Sequence, residues 1–452
     1  MPAKIPFFEA SESLQQRWRE STASLRVTAQ VYVFALLIAI GLFRHYLAPR
    51  SSPDHTFGSA AATDAPGAKD ETIAEVAEIF IYPIKSCAGS SVSHAQLTQQ
   101  GFDLDRRWMV VRLREGKVEK MSLKEEPRLT LIQPSIDEAH NRLSIKLTKE
   151  GEKVHKGTKL GETETVLRPT AEELRKWKEV PRVEMYGDFA DGRVAALPDS
   201  SGRKLSPSEW ISEFLGYAVL LIHFDTTSRT ARAAFPIFKP PTDSASWSSQ
   251  DRGELYRERG IEFQDEYPLL IATQESLSLV RNQLTSALSP NGTEGRPIAG
   301  IDATKWADSS ALSIARFRPN IVLRSSPGEA FAPFSEDSWE RIWILPNGRS
   351  RSKAVLQLVA RCQRCLLTAV DPITAEKDAS VPLKLLNRSR MRVKKTASEG
   401  GNGRAGPCFG MYAIPLPLDT SAYGELSTGD SVKVRWRPFS TDDEPDRSHL
   451  PT

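Results

Sequence analysis

Hydrophobic positions fall along this chain in two patterns. One stretch, VTAQVYVFALLIAIGLF at 27–43, runs without a charge between Arg26 and Arg44. At ~1.5 Å rise per residue, roughly 17 to 20 apolar residues just span a bilayer core, so this stretch predicts one transmembrane helix. A core helix fits poorly beside the polar Ser/Ala/Pro-rich residues 48–69. A cleaved signal peptide fits poorly behind a long leader carrying Glu9, Glu12 and Glu20. Elsewhere the apolar residues come in short runs rich in Val, Ile and aromatics, parted by turn residues, which predicts strands. AEVAEIFIY (74–82), RWMVVRL (107–113), RLTLIQ (128–133), RLSIKLT (142–148), PRVEMYG (181–187) and GRVAALP (192–198) make up an N-terminal β-rich unit, a barrel or sandwich.

SPSEWISEFLG (206–216) changes to a helical period, with Ser206 or Ser208 as cap and Gly216 as stop. VLLIHFD (219–225) returns to strand, and a polar stretch follows to about Gln264. The second unit opens with YPLLIAT (267–273) and the helix QESLSLVRNQLTSAL (274–288), where Leu277, Val280 and Leu284 share a face. Strands are expected at FRPNIVL (317–323), RIWIL (341–345), VLQLVARC (355–362), CLLTAV (365–370), FGMYAIP (409–415) and SVKVRW (431–436). The pattern divides the chain into a polar leader (1–26), an anchor (27–43), a linker (44–73), a β-rich unit (74–200), a connection (201–265), a second unit (266–437) and a polar tail (438–452). Residues 290–312 and 396–407 read as insertions.

Composition narrows the classes. A net charge of +3 over 452 residues, with no basic block, argues against nucleic-acid binding. The four cysteines (Cys87, Cys362, Cys365 and Cys408) are too few for a disulfide scaffold or an internal iron–sulfur module. A redox enzyme with this content must receive electrons from another protein. Charges flanking 27–43 slightly favour a cytoplasmic N-terminus, whereas free thiols favour a reducing compartment for the folded part; the thiols weigh more.

Chemistry concentrates at the ends of the expected strands. RCQRCLLTAVDP sets Cys362 and Cys365 between apolar runs. No second pair stands at zinc-ribbon spacing, and a thioredoxin-type pair should open a helix. Two buried structural thiols is the plain alternative. Lys85 and Ser86 end the first strand, Asp105 and Arg106 precede another, and Arg318 and Asn320 precede a third. Singly these are surface charges. Together, cations at several strand ends suit an anionic group such as phosphate.

IYPIKSCAG, QGFDLDRRWMVV, EEPRLTLI, FRPNIVL, SEDSW, RCLLTAVDP, FGMYA and the closing GD-x-V-x-V (Gly429, Asp430, Val432, Val434) together resemble the MOSC-domain family. Within it they resemble the mitochondrial amidoxime-reducing component and its bacterial and fungal relatives, over about 74–437. The resemblance implies an α+β, β-rich fold: an N-terminal β-barrel-like domain and a MOSC β-barrel domain with peripheral helices, behind the transmembrane helix. It implies a molybdenum–molybdopterin cofactor with Cys365 as metal ligand and catalytic residue, a soft thiolate beside soft dithiolene sulfurs. Lys85, Ser86, Arg106, Arg318, Asn320, Gln363, Arg364 and Tyr412 are implied cofactor contacts. Glu336, Asp337 and Trp339 match a signature read as structural. A pyridoxal phosphate label comes with the family only as a label. The chain departs from the family in having Glu266 and Tyr267 where relatives carry small hydroxyl residues before Pro268, so side-chain contacts from there are not carried over. The implied activity is two-electron reduction of N-hydroxylated substrates, with a b-type cytochrome and an NADH-dependent flavoprotein reductase as electron donors. The implied location is the mitochondrial outer membrane with the catalytic part facing the cytosol. A persulfide on Cys365 in a sulfurtransferase, or a cofactor-binding module without turnover, are the competing readings.

Overall fold

The computed structural model describes residues 70–436, apart from 158, 186–187, 199–203, 229–231, 233–259, 290–296, 348–350, 395–404 and 419–421. The expected leader, the 27–43 anchor and the tail lie outside the described residues. Among those described, no helix is long and apolar enough to cross a membrane.

Seven strands close into a ring. Leu269–Thr273 pairs in parallel with Ile321–Ser325, which pairs antiparallel with Asp70–Ile81. The ring continues through Ser431–Trp436, Trp339–Leu345, Ala354–Gln363 and Ala405–Leu416, then returns to Leu269–Thr273. Side-chain alternation sorts the residues of each strand. Ile271, Ile321, Leu323, Leu356, Leu358, Met411 and Val434 join the large buried core. Ala272 and Val322 face the other way, onto Leu277, Val280 and Leu284 of the helix Gln274–Leu288, and Phe409 joins them because an irregularity at Gly410 (φ 78°) breaks the alternation between it and Met411. Burying a Leu or Ile side chain contributes about 1.5–3 kcal/mol each, so this two-sided packing fixes register strongly. The strand Asp70–Ile81, expected at the head of the N-terminal unit, is therefore a stave of the second unit's barrel.

The N-terminal unit builds a sheet in the order Glu179–Met185, Asp188–Val194, Val219–Phe224, Trp108–Arg114, Ile84–Lys85, with Lys117–Lys120 also on Trp108–Arg114. A three-stranded sheet of Thr163–Val166, Arg142–Leu147 and Ile132–Asp137 stands beside it. The helix Pro207–Leu215 forms as its sequence predicts, with a Ser206–Glu209 capping box and Gly216 left-handed at its end.

Two expected strands are 3₁₀ turns. Residues 128–133 begin as Pro127–Leu131, because Pro127 stands at the first position and the Glu126 side chain accepts from the Arg128 N–H; the strand starts only at Ile132. Residues 365–370 form the turn Leu366–Ala369. The preceding strand stops at Gln363, and the Cys365 carbonyl accepts from both the N–H (3.1 Å) and the hydroxyl (2.9 Å) of Thr368. These local side-chain bonds outweigh the β-propensity of the run.

Candidate functional site

One end of the barrel opens into a cleft where loops from both units meet. All nine residues singled out from the sequence line it: Lys85, Ser86, Arg106, Arg318, Asn320, Gln363, Arg364, Cys365 and Tyr412. Strand ends explain the convergence. Lys85 and Ser86 follow the C-terminal end of Asp70–Ile81, Arg318 and Asn320 precede the antiparallel neighbour Ile321–Ser325, and Gln363 ends Ala354–Gln363.

The backbone is bent to bring these side chains in. Ser86, Arg106 and Arg318 sit at φ of 70°, 51° and 54°, left-handed conformations uncommon for residues with a Cβ. Such positions persist where surrounding bonds over-determine them. At Arg106 the N–H donates to the Tyr82 carbonyl (2.7 Å), while Asp105 accepts from the Tyr82 N–H (2.9 Å). At Arg318 the left-handed residue ends the 3₁₀ turn Ile314–Phe317.

Tyr82 organises two of the cations. The guanidinium carbons of Arg106 and Arg318 lie 4.5 and 4.2 Å from its ring centroid. Arg106 is satisfied within the protein, through Asp105 (2.6 Å), the Asn320 Oδ1 (3.0 Å) and the Arg318 carbonyl (3.3 Å). Burial disfavours its charge, but Asp105 prevails and holds its pKa above the ordinary value. Asn320 also accepts from the Leu270 N–H (3.2 Å) and donates to the Phe80 carbonyl (3.3 Å). Its amide is thus a clamp that fixes Arg106. Arg318 differs: its Nη2 is buried without a partner, and burial brings its pKa down to about 10.

The cysteines separate by exposure. Cys87, Cys362 and Cys408 are buried, and Cys365 is exposed. Cys362 is held by the Arg364 Nη1 (2.7 Å) and bonds with Tyr412; burial raises its pKa against both. Arg364 also donates from Nη2 to the Phe317 carbonyl (2.8 Å), and its Nε is buried without a partner. Gln363 lies across Gly406, where an added Cβ would meet its Nε2 at 2.0 Å.

Beneath the cysteine loop, Asp337 accepts from the Arg361 Nε (2.9 Å) and the Arg390 Nη2 (2.5 Å). Arg390 in turn accepts, through its carbonyl, the Cys408 N–H (2.9 Å). Glu336 accepts from Ser276 (2.7 Å) and Thr273 (3.2 Å). Neither acid lines the cleft.

One wall was only half legible in the sequence: Glu266 and Tyr267 stood out as a departure from the family, whereas Gln264 and Asp265 did not stand out at all. Gln264, Asp265, Glu266 and Tyr267 line the cleft beside Phe317 and Leu367. Gln264 and Asp265 sit in a polar stretch without periodicity, and the buried Arg232 that supports it carries no motif. Arg232 donates to the carbonyls of Glu262 and Gln264 (2.9 Å to the latter).

Among the described residues no three His, Cys, Asp or Glu side chains gather as a metal site. A metal held by Cys365 must bring its other ligands with it. The two unpartnered guanidinium nitrogens fit an anionic group, and the exposed thiol fits a soft metal, so these residues suit a metal carried on an anionic organic scaffold.

Fold and site define a class. Residues 73–179 match the MOSC N-terminal beta barrel domain and residues 258–433 the MOSC domain. Together these matches take in more than half of the chain, which belongs to the MOSC-domain family. The chain is similar to the mitochondrial amidoxime-reducing component 1 of Homo sapiens, 26% identical over 368 residues, covering 80% of this chain and 83% of that protein. It is also similar to proteins named molybdenum cofactor sulfurase, from Danio rerio (27% identical over 383 residues, 84% of this chain) and from Homo sapiens (29% over 358 residues, 79% of this chain). The chain spans only 37% and 32% of the length of those two sulfurases.

Proposed function

We propose that this chain holds a molybdenum–molybdopterin cofactor through Cys365 and reduces N-hydroxylated substrates of the amidoxime type by two electrons. The observation that carries this reading is the pairing of the exposed Cys365 thiol with two buried, unpartnered guanidinium nitrogens, on Arg318 and Arg364, along one cleft. When bound, the cofactor supplies the two-electron cleavage of the substrate N–O bond, giving the reduced nitrogen compound and water.

The chain's own residues bind and orient. Lys85, Ser86 and Arg318 hold the anionic portion of the cofactor. Arg106 adds positive charge while Asn320 keeps it in place. Arg364 links the cysteine loop to the Phe317 carbonyl and fixes Cys362, which places Cys365 at the mouth of the cleft. Tyr412 and Gln363 close the remaining sides.

Electrons come from a b-type cytochrome served by an NADH-dependent flavoprotein reductase. Segment 27–43 anchors the chain in the mitochondrial outer membrane with the catalytic part in the cytosol, in keeping with the naming of one group of relatives. Anchoring raises the effective concentration of membrane-bound donors. Reconstituting full-length chain with those donors and an aromatic amidoxime tests the reading. NADH oxidation dependent on both chain and amidoxime is expected; cofactor-loaded chain that oxidises no NADH contradicts it and leaves a binding module without turnover.

A second reading is favoured by the exposure of Cys365 and by the sulfurase relatives: a sulfurtransferase carrying a Cys365 persulfide. It predicts cyanide-releasable sulfur on Cys365 in metal-free protein, whereas the first reading predicts none.

A further inference from the structure

Lys85 is nearly buried, at 6% exposure, and its ammonium already has partners. It donates to the Phe263 carbonyl (2.8 Å) and pairs with the Asp265 Oδ1. The Asp265 side chain is 43% exposed, against 7% for that of Lys85. A carboxylate therefore sits on the lysine that an incoming anion would use, while Arg318 Nη2 and Arg364 Nε on the same cleft remain without partners.

We infer that Asp265 is a latch: its carboxylate occupies the anion subsite at Lys85 and is exchanged for an anionic group of the ligand. This rests on the reading of the cleft as an anionic cofactor's site. Three features favour exchange over a rigid structural pair. First, the backbone beneath Asp265 is fixed. The Arg232 side chain donates to the carbonyls of Glu262, Gln264 and Asp265 (2.9 Å to Gln264 and 3.5 Å to Asp265). Gln264 Nε2 donates to the carbonyls of Gln100 (3.2 Å) and Asp105 (3.0 Å). Motion is thus confined to the Asp265 side chain, which has solvent to turn into. Second, a buried ammonium stripped of its counter-charge is strongly destabilising, so Lys85 releases Asp265 only as another anion arrives. Third, the cations Lys85, Arg106, Arg318 and Arg364 outnumber the acids Asp105, Asp265 and Glu266 around the cleft, which draws the replacement in.

The latch lowers apparent anion affinity because an incoming anion must displace the Asp265 carboxylate from Lys85. Calorimetric titration of full chain prepared without cofactor, with inorganic phosphate as the probe, tests it. Asp265→Asn and Asp265→Ser are expected to bind phosphate about tenfold more tightly than wild type. Asp265→Glu, which keeps a competing carboxylate, stays near wild type, and Lys85→Met added to Asp265→Asn removes the gain. The phosphate-induced rise in melting temperature of each variant reports the same order and confirms a folded protein. Unchanged or weaker phosphate binding in both neutral variants overturns the latch. Phosphate binding by none of the proteins, wild type included, overturns the anion-site reading as well.

Discussion

At the scale of single residues, exposure divides the cysteine pair that spacing left undecided. Cys365 reaches the cleft, whereas Cys362 is buried under Arg364 and Tyr412. Cys362→Ala should retain bound molybdenum while loosening Arg364, seen as a modest loss of metal on prolonged dialysis; complete loss would make Cys362 the ligand. Gly89 carries a second consequence. A Cβ there would lie 2.4 Å from the Tyr82 ring, the platform for Arg106 and Arg318. Gly89→Ala should cost about 1–3 kcal/mol in denaturant unfolding, and it should weaken phosphate binding because both guanidinium groups move with the ring. An unchanged unfolding midpoint would mean that Tyr82 has room to shift. Lys85, Arg106 and Arg318 stood out only in combination, as cations at several strand ends, whereas Arg364 and Cys365 came from the family resemblance, because the C-x-x-C spacing alone fits two buried thiols as well. Asp265 and Arg232 were not legible, since a polar side chain in an aperiodic stretch looks the same whether solvated or buried.

At the scale of elements, the turn Ser335–Ser338 carries two neighbouring buried acids with opposite behaviour. Burial, and then the charge of Asp337, push Glu336 up to about 7, while Arg390 and Arg361 hold Asp337 below the ordinary range despite its burial. The raised group gives a signed prediction. Between its ordinary value of 4.5 and about 7, native Glu336 keeps a proton that the unfolded chain has released. Its contribution to stability therefore falls as pH rises through that window. Glu336→Gln should flatten the decline in melting temperature between about pH 5 and 7 and leave the variant relatively more stable at pH 8; an identical slope would contradict the protonated assignment. The helix Gln274–Leu288 and most barrel strands followed directly from periodicity. The turns at Pro127–Leu131 and Leu366–Ala369 did not, because a few side-chain bonds to backbone override a short β-like run.

At the scale of the whole molecule, the two units share a barrel and a core. Asp70–Ile81 sits between Ile321–Ser325 and Ser431–Trp436, and one buried cluster runs from Trp108 and Ile132 to Leu356 and Val434. Thr130 donates to the Pro372 carbonyl (3.1 Å) and Lys377 to the Lys124 carbonyl (2.8 Å), tying the N-terminal unit to the loop after Cys365. A chain of 266–437 alone lacks a stave and exposes two strand edges. It should show no cooperative thermal transition, and fusing 70–82 to its N-terminus should improve its solubility; a sharp melt of 266–437 would contradict the shared barrel. Sequence patterning gave the strands but not this closure, since pairing partners 240 or more residues apart leave no local trace.

We propose Cys365 as the protein ligand to molybdenum. Elemental analysis by inductively coupled plasma mass spectrometry, run on wild type and Cys365→Ala made in cofactor-producing cells, tests it most directly. Molybdenum bound in proportion to wild-type chain, and lost from a variant with an unchanged circular dichroism spectrum, is the expected result. Wild-type chain free of molybdenum, or a variant that retains it fully, would contradict the account.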